Sequence, residues 1–197
     1  MLNVIISSVF YYKAKLVKIG ELLYKEGLVD ARAGNLSVRL RDRAIITRTG
    51  SHLGNLSFED LIELQLYQKH TLEDRASSEW IVHREIYLQT SHKAVVHAHP
   101  LYTVFLSNYY SRIEPKDSEG KAILGAVEVI PDYPSGSEEL AGAVAQGLKT
   151  SKILVVKNHG VFSAAQTLTQ AYSLISVLER SCRYLWNINL IERGTTL

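Results

Sequence analysis

"KAVVHAHP", residues 93–100, is a short, β-branched apolar run that ends on two histidines one residue apart. Its length and composition read as a buried strand. Side chains at i and i+2 of a strand leave the same face, so His97 and His99 project into one spot. Two imidazoles placed this way either meet a metal ion or lie on a solvated face.

N-terminal to that strand, the apolar residues Ile5, Val9, Leu16, Ile19, Leu22 and Leu23 recur at helical spacing over 5–26, and Gly27 marks the stop. "NLSVRL" and "RAIITR" flank "RD" as a hairpin. Ser57 and Asp60 in "SFED" form a capping signal for a short helix, and "LIELQLY" follows as a strand. "SSEWIVHREIYLQTSH" reads as a helix capped by Ser77 or Ser78.

Beyond the histidines come a helix in "LYTVFLSNYY", a polar loop in "EPKDSEGK", a strand in "GAVEVI" and a turn in "PDYPSG". Ser137 caps a helix over "SEELAGAVAQGLK", and "KILVVKNHG" is a buried strand running into a loop. Thr167 and Gln170 open a last helix as a capping box, and it runs to about Leu190. Runs of strands between unevenly spaced helices predict one α/β domain over 1–197, a mixed sheet with helices on both faces.

A chain of 197 residues can bury a substantial core unaided, and 46% apolar with 21% charged residues is a globular composition. The net charge of +2 and the scatter of the basic residues leave no footprint for nucleic acid. There is no apolar run of about 18 residues to span a membrane. "MLNVIISSVFYYKAK" lacks a basic n-region and a small-residue cleavage site, and it reads as the first helix. The single cysteine, Cys182, excludes an internal disulfide framework and fits a reducing compartment; a cytoplasmic location is expected.

A third histidine, His159, stands in "VVKNHGVF", where an apolar strand ends and Gly160 permits close backbone approach. Two imidazoles on one strand face and a third from a distant strand end make a three-histidine set of the kind zinc accepts with a fourth position open. Glu79 lies in the first turn of its helix, where the macrodipole favours a carboxylate. It stands four residues before His83, within reach of an ordinary side-chain pair; the alternative places it beside the metal as a base. "AGNLS", "TRTGS" and "ASSEW" supply hydroxyls, an amide and free N–H groups without bulk, which suits either plain turns or an anion site.

Five motifs in this order, "AGNLSVR", "TRTG", "SSEW", "VVHAHP" and "NHG", resemble the class II aldolase/adducin family, most strongly its fuculose-phosphate aldolase branch. The resemblance spans roughly residues 10–190. It implies a three-layer αβα fold with a central, largely antiparallel mixed sheet. It further implies a divalent metal, usually zinc with cobalt or manganese as substitutes, held by His97, His99 and His159. Glu79 matches the carboxylate that binds the resting metal and serves as catalytic acid/base. Asn35, Thr49, Gly50, Ser77 and Ser78 match the residues around a substrate phosphate. His83 matches no ligand of the family and is left out of the site.

The activity implied is reversible cleavage of a ketose 1-phosphate to dihydroxyacetone phosphate and an aldehyde through a zinc-stabilised enediolate. The implied assembly is a homotetramer with sites at subunit interfaces. The likeness breaks at "EPKDSEGK", which has no tyrosine where fuculose-phosphate aldolases carry one; Asp117 or Glu119 is the candidate to face a neighbouring subunit's site in its place. Three relatives of different activity serve as alternatives. A pentulose-phosphate 4-epimerase would have Asp in place of Glu79, a methylthioribulose-1-phosphate dehydratase keeps the Glu, and a non-catalytic adducin-like protein tends to lose metal ligands.

Overall fold

The structure, a computed structural model, describes residues 2–68 and 71–194. Eight strands form one sheet in the order β3-β2-β1-β4-β8-β7-β6-β5. Their ranges are β1 Asn35–Leu40, β2 Arg43–Thr47, β3 Leu61–Gln65, β4 Ala94–Ala98, β5 Arg112–Ile113, β6 Val127–Ile130, β7 Ile153–Val156 and β8 Gly160–Ala165. All ladders are antiparallel except that between β6 and β7.

Helices α1 (Leu2–Lys25), α3 (Leu101–Leu106) and α6 (Leu168–Gly194) pack on one face of the sheet. Helices α2 (Trp80–Gln89) and α5 (Glu138–Gly147) cover the other. The result is the expected three-layer α/β domain with a largely antiparallel mixed sheet. β4 lies near the middle, bonded to β1 and β8, and all five of its residues are buried. Helices on both sides explain why it reads as a continuous apolar run, where a half-solvated antiparallel strand would alternate. Its residues still divide by parity. Ala94, Val96 and Ala98 enter the α1/α6 core, whereas Val95 enters the α2/α5 core.

The first hairpin turns at Arg41 and Asp42, between Leu40 and Arg43 as read from the sequence. Ser57 and Asp60 form the expected capping box, but it opens only a single 3-10 turn, Phe58–Asp60. Ser137 caps α5 by accepting from the Leu140 N–H. Thr167 accepts from the Gln170 N–H, and α6 continues beyond Leu190 to Gly194.

Several expectations need correction. The stretch "EPKDSEGK" is not wholly loop, because Asp117 accepts from Gly120 N–H and starts a fourth short helix, α4, over Ser118–Ile123. Strand β5 and, more importantly, strand β8 were not expected. β8 is "GVFSAA", whose Gly, Ser and Ala residues carry little strand propensity; burial between β4 and β7 makes it a strand. Helix α2 starts at Trp80, so neither Ser77 nor Ser78 is its cap. Glu79 holds that position without capping, because its carboxylate is drawn to histidines instead. No helix among the described residues is long and apolar enough to cross a membrane.

Candidate active site

His97 faces the α2/α5 side from within β4, opposite Phe162 of β8, and its ring stacks on the Phe162 ring at 4.0 Å between centroids. Its Nδ1 lies 3.0 Å from the Val161 carbonyl, which can only accept. Nδ1 therefore carries the proton, and Nε2 presents a lone pair. His99 follows the strand end and stays on the same side, with its Nε2 2.8 Å from that of His97.

His159 arrives from the β7–β8 turn. The following residue, Gly160, makes the approach possible. A Cβ there would stand 2.6 Å from the Ala98 carbonyl oxygen and 2.8 Å from a ring carbon of His99, so no larger residue fits without displacement. Ligand nitrogens of His97, His99 and His159 lie within 4.8 Å of one another. Burial is the main force lowering the pKa of both His97 and His99. They are neutral imidazoles near pH 7, which is the metal-binding form.

The buried Glu79 carboxylate closes the cluster, with Oε2 3.0 Å from His97 Nε2 and Oε1 3.2 Å from His159 Nε2. Asn35 Nδ2 donates to Oε2 at 2.8 Å, and the Ser135 hydroxyl donates to Oε1 at 3.0 Å. Burial alone would raise the Glu79 pKa. The hydrogen bonds it accepts from His159 and Asn35 favour the ionised form, and the carboxyl sits below the ordinary carboxylate range. Glu79 is thus an ionised acceptor beside three imidazoles.

Behind Glu79 a hydrogen-bonded chain runs into the protein. Asn35 Oδ1 lies 2.6 Å from His83 Nε2, His83 Nδ1 lies 2.6 Å from Ser37 Oγ, and Ser37 Oγ lies 2.6 Å from Tyr87 Oη. Glu79 and His83 do share a helical side, as their spacing suggested, but Asn35 stands between them as a bridge. Complete burial depresses the His83 pKa to about 4 and raises that of Tyr87 above the ordinary phenol range.

A cleft of about 250 Å³ opens over this cluster. Glu79, His99 and His159 line it together with Asn35, Thr49, Gly50, Ser77 and Ser78. Among the residues matched to the family's site, His97 alone lies behind the wall, fully buried. Backbone bonds draw the small polar stretches together, with Thr49 N–H donating to Arg75 C=O and Ser77 N–H to Thr47 C=O. Gly50 has φ +71°, a left-handed conformation that L side chains rarely adopt, so the tight bend itself explains that glycine.

The donor set fits a divalent cation. It combines an unprotonated His97 Nε2, two further imidazoles and an ionised carboxylate, with the His97 tautomer held by a carbonyl, as metal-bound histidines usually are. Sequence reasoning missed Ser135, which lies in an ordinary-looking turn. It also missed Arg32, which lines the cleft and brings positive charge to it, and Arg48, which lines the cleft with its guanidinium held by Asp60 at 2.6 Å. His83 was set aside although it belongs to the supporting network. Asp117 and Glu119 serve the α4–α6 region here, Asp117 as a helix cap and Glu119 beside Arg180 at 3.9 Å.

Residues 14–186 match the model of the Class II Aldolase and Adducin N-terminal domain. The chain is similar to an L-fuculose phosphate aldolase of Methanocaldococcus jannaschii, 33% identical over 92% of this chain and 98% of that protein. It is equally similar, at 33% over 89% and 87%, to a 3-oxo-tetronate 4-phosphate decarboxylase of Haemophilus influenzae, an activity not weighed from the sequence. Among solved structures it resembles l-fuculose-1-phosphate aldolase from Thermus thermophilus, with a TM-score of 0.86 and 36% identity covering 91% of this chain and 94% of that one. The fold, the ordered motifs and these likenesses agree: the chain belongs to the class II aldolase and adducin family.

Proposed function

We propose that the chain is a metal-dependent sugar-phosphate aldolase that cleaves a ketose 1-phosphate, of the fuculose 1-phosphate kind, to dihydroxyacetone phosphate and an aldehyde. The observation that carries this reading is the convergence of three imidazoles and Glu79 at one end of a polar cleft. His97, His99 and His159, with Glu79 in the resting state, would hold the ion, with zinc favoured and cobalt or manganese as substitutes. A divalent ion there supplies Lewis-acid stabilisation of negative charge on the substrate oxygens.

The remaining work falls to the chain's own groups. Breaking the C3–C4 bond leaves an electron pair on C3, delocalised as an enediolate, while the C4 hydroxyl gives its proton to water in the cleft and becomes the aldehyde; one proton returns at C3, so the overall reaction is proton-neutral. Glu79 moves the proton to and from C3, and its burial among donors fixes its geometry for that transfer. Asn35, Thr49, Gly50, Ser77 and Ser78 bind the phosphate at the mouth, where Arg32 favours an anion. Binding energy taken there orients the reacting carbon.

A second reading is favoured by the decarboxylase likeness and by Arg32 in the cleft. A 2-hydroxy-3-oxo acid with phosphate on C4 that loses carbon dioxide leaves the same enediolate, and protonation at the same carbon gives dihydroxyacetone phosphate. Arg32 would then meet the departing carboxylate. The donor set is intact, which disfavours a purely structural, adducin-like role. We place the enzyme in the cytoplasm as a homotetramer, a reading supported by the resemblance; exposed Leu101 and Phe105 on α3, Tyr109 just after it and Leu190 on α6 support the association.

The test is a panel assay of the zinc-loaded protein. It takes ketose 1-phosphates, a 2-hydroxy-3-oxo acid 4-phosphate, a methylthio-pentulose 1-phosphate and a pentulose 5-phosphate, and follows dihydroxyacetone phosphate, carbon dioxide and water-loss products separately. Aldehyde with dihydroxyacetone phosphate from a ketose 1-phosphate supports the aldolase. Turnover of the 3-oxo acid alone moves the assignment to the decarboxylase, and turnover of the methylthio sugar alone to the dehydratase.

A further inference from the structure

The buried chain behind Glu79 has a direction that the donor inventory fixes. Glu79 is an ionised carboxylate and only accepts, so the Asn35 group 2.8 Å from Oε2 is the amide NH2. Asn35 then turns its carbonyl oxygen to His83, so His83 Nε2 must carry a proton and donate. A neutral imidazole with a proton on Nε2 has a bare Nδ1, which accepts from the Ser37 hydroxyl. Ser37 Oγ in turn accepts from Tyr87 Oη. Donation thus runs one way, from Tyr87 through Ser37 to His83, and from His83 through Asn35 to Glu79.

We infer that His83 is a positioning residue that locks the Asn35 amide with its NH2 edge toward Glu79 and the cleft. Were Asn35 to flip, its carbonyl oxygen would face a carboxylate oxygen at hydrogen-bond distance, and a donor would be lost from the cleft wall. His83 blocks that flip, because its Nε2–H would then face the Asn35 NH2, donor against donor. The chain does not carry protons to the site. An amide stands between His83 and Glu79, and Ser37, His83 and Tyr87 are fully buried. Its role is orientation, in a place where an unpaired buried polar group costs far more than in water.

This inference rests on the proposed role of Glu79 for its kinetic consequence, but not for its structural one, so the experiment reads both. Wild type, Ser37→Ala, His83→Phe and His83→Gln are prepared with zinc. In the native protein, long-range proton–nitrogen spectra should assign the Nε2–H tautomer to His83. The Asn35 side-chain NH2 should exchange slowly with solvent. In His83→Phe that exchange should quicken at least tenfold, and His83→Gln, which keeps a donor, should recover part of the protection. Ser37→Ala, a small change that preserves packing, should weaken protection in the same direction if His83→Phe fails to fold.

With whichever panel substrate the native enzyme turns over, His83→Phe should lower kcat at least tenfold, with partial rescue in His83→Gln. An Nδ1–H tautomer in the native protein, or unchanged Asn35 protection in folded His83→Phe or in Ser37→Ala, would overturn the inference. Unchanged kcat and KM in folded His83→Phe would overturn it as well. Absence of turnover with every panel substrate would instead count against the proposed function, while the spectra still decide the role of His83.

Discussion

Asn35 and His97 face each other across the β1–β4 ladder, and both reach the same oxygen of Glu79, at 2.8 and 3.0 Å. A strand register thereby sets an amide donor and an imidazole on one carboxylate from a different layer of the fold. The proposed anion-binding and metal-binding ends of the cleft meet at that pair.

Metal binding is the first consequence. The native protein is expected to hold one divalent ion per chain, and chelation should abolish turnover, with zinc, cobalt or manganese restoring it. His97→Ala and His159→Ala should each lose most of the ion, read by elemental analysis after dialysis. Full occupancy in both variants would remove these histidines from the site.

The phosphate end can be tested separately. Ser78→Ala combined with Thr49→Val removes two hydroxyls that line the cleft. KM for the phosphorylated substrate should rise about tenfold, the loss of roughly 1.4 kcal/mol of binding, with kcat little changed. Equal kcat/KM for phosphorylated and free sugars in the native enzyme would show that no phosphate pocket operates.

Gly160 offers a packing test. Gly160→Ala puts a methyl 2.6 Å from the Ala98 carbonyl oxygen, so the β4–β8 ladder must shift. The expected cost is about 1–3 kcal/mol, as for other overpacked sites, read as a lower urea midpoint together with weaker metal binding. An unchanged midpoint would contradict the tight approach of the His159 turn to β4.

Acid should destabilise the fold through His83. Its folded pKa of about 4 lies below the ordinary 6.5, so the fold holds it neutral while the unfolded chain takes up a proton as pH falls through 6.5. Stability from this group is full above about 6.5, falls as pH drops and levels near 4. The slope is about 1.4 kcal/mol per pH unit, on the order of 3 kcal/mol across the window. Urea titrations at several pH values should show a shallower slope for His83→Gln than for wild type. Identical slopes would contradict the burial of a neutral His83.

The parts of this site legible in the sequence are those that local geometry dictates. His97 and His99 share a side because a strand alternates, and the first hairpin and the caps at Ser57 and Ser137 follow from turn and cap chemistry. The five ordered motifs also pointed to the family. What escaped depends on partners distant in the chain. His83 looks like a core residue on an apolar helical face until Ser37, 46 residues earlier, is packed against it. β8 is a strand through its neighbours, against its own propensity. The start of α2 slipped because Glu79 gives its carboxylate to histidines, and no local cap rule anticipates that competition. Ser135 reaches Glu79 from a turn after β6 that carries no signal of its own.

The most direct test of the central claim is solvent exchange at C3 of dihydroxyacetone phosphate, followed by proton NMR in deuterium oxide with no aldehyde present. Both the aldolase and the decarboxylase readings pass through the same enediolate, so the zinc-loaded native protein should exchange one C3 hydrogen. Glu79→Gln keeps the shape but cannot take the proton, and it should slow exchange about 10²-fold or more, the usual cost of losing a general base, while the three imidazoles retain most of the metal. No exchange in the fully metallated native protein, or undiminished exchange in metallated Glu79→Gln, would contradict the assignment of Glu79 as the acid/base of an enediolate-forming lyase.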